Sequence, residues 1–179
     1  MVNNAINVID FERERRKRTK HIFGKMRFGL SRYLRERVDL NLINIKSSQT
    51  QSLNYLLSMH FYLKIAQLLG FGWTYNKAVE LSKDVDNDLS FLGLKILSAY
   101  YKDKQKREKI RKIMVDALKR HYIYIYELAC MLAVKYRDKE LLEDIIANHK
   151  LIENQNFKRI TAKYINKAQR QLRNEWKNK

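Results

Sequence analysis

The 179-residue chain has no proline, five glycines and one cysteine. Without proline, and with so little glycine, little interrupts helices and little is available for the tight turns of a sheet protein. The lone thiol, Cys130, excludes an internal disulfide and any zinc site built on several cysteines. It suits a reducing compartment, so a cytoplasmic location is expected. Long hydrophobic runs are also missing. Residues 53–69 are interrupted by Asn54, His60, Lys64 and Gln67, and residues 122–134 fall short of the roughly 20 needed to cross a bilayer. The N-terminus lacks the apolar core of a secretory signal. Acid is scarce as well, with 19 Asp and Glu against 37 Lys and Arg.

What remains is Leu, Ile, Lys, Arg, Glu, Gln and Ala, a helix-forming vocabulary. An all-α fold is expected, a single domain of about six or seven helices packed around a central long helix, with basic amphipathic helices at both ends. The organisation expected is a basic arm and amphipathic helix over 1–46, followed by a helical core domain over 47–179. The central element is residues 104–136, which hold no glycine and read as one long helix or two nearly continuous ones. Its first half carries Ile110, Ile113, Met114, Ala117 and Leu118 as a dry stripe among cations. Its second half, YIYIYELACMLAV, is apolar nearly all round and suits a helix wrapped by others.

Along the chain, residues 1–9 lack periodicity and are expected to be mobile, and Asp10 can cap a helix starting at Phe11. Ile22, Met26, Leu30, Leu34 and Val38 then recur at helical spacing among Lys and Arg. A core helix over 53–69, with Leu53, Leu56, Leu57, Phe61, Ile65, Leu68 and Leu69 on its buried face, should end at Gly70. Thr74 and Asp88 are candidate caps for helices over 75–83 and 89–101, Asp138 precedes a short acidic helix over 139–147, and Asn154 caps the last. The break at Gly72 outlines a helix-turn-helix whose reading segment would be 72–83. Asn76 stands where that motif packs an apolar residue, which favours an ordinary hairpin.

Catalytic chemistry finds little support. His21, His60, His121 and His149 show no ligand spacing, and no glycine-rich phosphate loop exists. Asp84, Asp86 and Asp88 begin like a calcium loop, but Leu89 replaces its glycine and Lys95 its late glutamate. Cys130 lies between apolar neighbours that raise a thiol pKa. No enzyme activity, cofactor or metal is expected.

Charge carries the functional expectation. The net +18 is gathered as +7 in 1–46, +7 in 102–137 and +7 in 154–179, separated by neutral and acidic segments. Such self-repulsion favours a polyanionic partner. The chain is therefore expected to bind nucleic acid, DNA in preference to RNA, through phosphate contacts, as an accessory or regulatory protein of a phage, plasmid or other mobile element. The candidate contacts are Arg13, Arg15, Arg16, Lys17, Arg18, Lys20, Lys25 and Arg27 in the first block and Lys104, Lys106, Arg107 and Arg111 in the second. The third supplies Lys158, Arg159, Lys163, Lys167, Arg170 and Arg173. The alternative is a helical adaptor or structural protein whose basic faces dock acidic protein partners, form a homo-oligomer or lie on an anionic membrane surface.

Overall fold

A computed structural model describes the backbone of residues 2–47 and 52–177, and side chains over 19–47 and 53–173. All its regular structure is helical, as expected: α1 (Val2–Ser47), α2 (Ser52–Leu68), α3 (Trp73–Ser82), α4 (Asn87–Leu97), a 3-10 turn (Ser98–Tyr100), α5 (Lys104–Leu118), α6 (Ile123–Tyr136), α7 (Lys139–Lys150) and α8 (Gln155–Lys177). The chain divides into two compact units, Met1–Phe71 and Gly72–Lys179. The expected division after residue 46 falls instead inside the first unit, because α2 packs on α1.

In the first unit α1 is helical from Val2 onward and passes through Asp10, Gly24 and Gly29. Asp10 thus lies inside a helix and not at the start of one. Leu34, Val38, Asn41 and Ile45 form its dry stripe and Met59, Leu63 and Ala66 that of α2. Tyr33 meets Tyr62 edge to face, while Arg27 donates to the Leu69 carbonyl at 3.2 Å, so the two helices run antiparallel. Gly70, at φ +71°, ends α2 as expected. Its N–H bonds the Gln67 carbonyl and the Phe71 N–H that of Ala66, both at 3.0 Å, the paired bonds of a left-handed helix terminus. The buried face of α2, however, is not the one anticipated: Leu53, Leu57, Phe61, Leu68 and Leu69 are all exposed. A helix with apolar residues on every side has no polar face to fix which side turns inward.

In the second unit α3 and α4 form a close hairpin. The N-terminus of α4 is capped by Asp86, two residues before the expected Asp88, with its carboxylate accepting from the N–H groups of Asp88 and Leu89 at 2.9 Å. Thr74 is no cap either; it is buried, and its hydroxyl shares a 2.7 Å hydrogen bond with that of Tyr100. The stretch 104–136 takes the two-helix form, α5 and α6, divided at 119–122 where His121 adopts φ 54°. Asp103 caps α5. With Ile125, Tyr126, Leu128, Ala129, Cys130, Leu132 and Ala133 buried, α6 is the hub, touching α4, α5, α7 and α8. Asp138 caps α7 and accepts the hydroxyl of fully buried Tyr101 at 2.9 Å, tying the start of α7 to the end of the 3-10 turn. Asn154 caps α8 through the Phe157 N–H at 3.0 Å.

Gly93, in the middle of α4, lets the hairpin close. A Cβ there would stand 2.4 Å from the Ser82 nitrogen and 2.7 Å from the Ala78 oxygen, both backbone atoms of α3. Alanine is intrinsically the better helix former by about 1 kcal/mol, yet the backbone clash outweighs this. Gly93→Ala should lower stability by about 2–3 kcal/mol in denaturant melts followed by circular dichroism; an unchanged midpoint would contradict the close approach.

Candidate nucleic-acid interface

Among the described residues, a continuous cationic surface is built by α8. At 3.6 residues per turn, Arg159, Lys163, Lys167, Arg170 and Arg173 fall within about 120° of one side. Thr161, Ile165, Ala168 and Leu172 are buried on the opposite side, against α6 and α7. The packing that holds α8 down therefore aims five long cations outward along about 21 Å of helix. All five are exposed, and among the described residues none has an acidic partner. Lys158 leaves this row: half-buried, it donates to the Lys150 carbonyl at 3.2 Å and closes the C-terminal end of α7.

The second block is arranged differently. Lys106 pairs with Asp103 at 3.2 Å and lies over the rings of Tyr75 and Tyr100, 5.4 and 5.3 Å from their centroids. The Arg107 guanidinium donates to the Tyr101 carbonyl at 3.1 Å and stacks on Tyr101 and Tyr136. Arg111 bridges Glu108, at 2.6 Å, and Glu140 of α7. These three side chains fasten α5 to its neighbours and are half-buried. Lys104 alone of the four candidates here is exposed without an ion-pair partner among the described residues.

In the first block Lys20 and Lys25 are exposed, whereas Arg27 is occupied by the Leu69 carbonyl and lies 5.6 Å from the centroid of Phe71. The side chains of Arg13, Arg15, Arg16, Lys17 and Arg18 lie outside the described residues, on a helical backbone. The segment 72–83 offers a groove reader little: Lys77 is held by Glu80 at 3.1 Å, and Ala78, Leu81 and Ser82 face the core.

Beside the α8 row runs a cavity of about 690 Å³ between α6 and α8, which sequence reasoning did not anticipate. Cys130, Met131, Val134, Ile160, Tyr164 and Ala168 make its apolar lining, and Lys135, Lys163, Lys167 and Glu127 its polar rim. Met131 and Ile160 read as core residues; only the separation of the two helices leaves them exposed.

Among the described residues no group of three His, Cys, Asp or Glu side chains could hold a metal ion, and no helix is long and apolar enough to cross a membrane. No protein-family model, curated protein or solved structure matches the chain. Burial pushes the Cys130 thiol up to about 12. A thiol reagent at pH 8 should accordingly modify the native chain about a hundredfold or more slowly than the urea-unfolded one; comparable rates would show an activated cysteine instead.

Proposed function

We propose that this protein binds nucleic acid through its phosphate backbone, with the outer face of α8 as the principal surface. The observation that carries the reading is the contrast between helices. Lys106, Arg107 and Arg111 of α5 are held by acids, a backbone carbonyl and tyrosine rings, whereas Arg159, Lys163, Lys167, Arg170 and Arg173 of α8 form one exposed row with no ion-pair partner among the described residues. A double-stranded target is favoured, and DNA before RNA. Single-strand binders rely on several aromatic platforms for base stacking, whereas the one ring between Arg159 and Arg173, that of Tyr164, is half-buried and lines the cavity between α6 and α8. The row is long enough to follow several successive phosphates of one strand. Lys20, Lys25 and the basic run before them provide a second, separate set of contacts.

Five phosphate contacts should lower affinity by a few hundredfold, roughly, between ~50 and ~200 mM salt. Replacing Arg159, Arg170 and Arg173 together by Gln should leave helix content intact, because all three are exposed, and should flatten the log–log salt slope for duplex DNA by about 2.7. Fluorescence anisotropy with duplex DNA, single-stranded DNA and structured RNA reads both quantities, and deleting residues 1–21 reads the share of the first block. An unaltered slope in the triple variant would remove α8 from the interface.

The cavity beside α8 supports a second reading, an adaptor that seats an amphipathic helix with an acidic edge. An apolar floor rimmed by Lys135, Lys163 and Lys167 is the complement of such a helix. Tight binding to an acidic protein, with feeble, salt-erased binding to every nucleic acid, would select it.

A further inference from the structure

The first unit leaves a large apolar surface uncovered. On the side of α2 turned away from α1, Leu53, Leu57, Phe61 and Leu68 are 66%, 59%, 61% and 83% exposed. At 3.6 residues per turn the four lie within about 80° of one another and span about 22 Å of helix. Together they expose several hundred Å² of apolar surface, roughly the scale that marks an interaction site on a soluble protein. The face opposite, with Met59, Leu63 and Ala66, is already spent on α1. Within the first unit the helix thus has two apolar faces, of which one packs on α1.

Charge identifies the other occupant. Of the 17 residues of α2 only Lys64 is charged, and its ammonium lies 3.3 Å from the Gln67 amide oxygen of the same helix. In a chain of net charge +18, most surfaces repel a second copy. This one does not. The stripe is also close to palindromic: with two α2 helices antiparallel about a two-fold axis near residues 60–61, Leu53 meets the Leu68 position of the other copy, Leu57 meets the aliphatic stem of Lys64, and the two Phe61 rings flank the axis. That is the isologous, self-complementary arrangement of a two-fold dimer, built here as a four-helix assembly of two hairpins.

We propose that the chain forms a two-fold homodimer through the outer face of α2. The full chain, measured by sedimentation equilibrium in moderate salt at micromolar concentration, should show twice its 21.6 kDa mass. Leu57→Glu with Phe61→Glu should restore the monomer mass with unchanged far-ultraviolet circular dichroism, both side chains being exposed. An independent variant, Phe61→Cys, should be joined to itself by a short bifunctional maleimide, whereas Ile43→Cys, exposed on the side of α1 turned away from α2, should not. A monomeric wild type at every concentration, a double variant that keeps the dimer mass, or equal cross-linking at positions 61 and 43 would each overturn the proposal. Nucleic-acid binding can fail without affecting any of these outcomes.

Discussion

The second unit depends on the burial of α6 against four neighbouring helices, which leave one stripe of it, Tyr124, Glu127, Met131 and Lys135, exposed. A helix whose residues are apolar all round its axis cannot lie on a surface without exposing one of its faces. Here four helices meet it, and Ile125, Tyr126, Ala129 and Ala133 are wholly enclosed. That demand shapes the connections. The chain leaves α5 through a left-handed His121 and leaves α6 through a left-handed Arg137, whose following N–H, that of Asp138, reaches back to the Ala133 carbonyl at 2.8 Å. Asp138 then serves twice, capping α7 and accepting the hydroxyl of Tyr101, so the end of the hub, the start of the next helix and the 3-10 turn are held at one point. Burial and that hydrogen bond both favour the neutral hydroxyl of Tyr101 and raise its pKa.

Docking on the hub also sorts the positive charge. Residues 102–137 and 154–179 carry the same net charge of +7. In α5, acids stand within reach at Asp103, Glu108 and Glu140, and tyrosine rings offer cation–π faces, so Lys106, Arg107 and Arg111 become structural. In α8 the buried side is so regular that every cation of the row from Arg159 to Arg173 is exposed, and among the described residues none of them has an ion-pair partner. Net charge cannot distinguish these cases, because it counts side chains without regard to what surrounds them.

Much of this was legible from local chemistry. Glycine at a left-handed terminus predicts the end of α2 at Gly70, an amide side chain before an amphipathic run predicts the start of α8 at Asn154, and the apolar character of 122–134 predicts a helix held among others, which α6 is except along the exposed stripe of Tyr124, Glu127 and Met131. Other details depended on which of several equivalent residues was used. Asp86 rather than Asp88 caps α4, since with the helix starting at Asn87 only Asp86 precedes the free N–H groups it must accept. Thr74, a plausible cap by residue type, is drawn into the core by Tyr100.

The sequence by itself determined that the chain is helical, and which side of α8 faces water, because helical propensity and the alternation of cationic and apolar positions are local properties. The tertiary structure alone decided which face of α2 is buried, which cations of α5 are occupied, and that a cavity opens between α6 and α8. An apolar helix without a polar side carries no phase information. The partners of an arginine, such as Glu140 for Arg111, come from elements distant in sequence that only packing brings within reach.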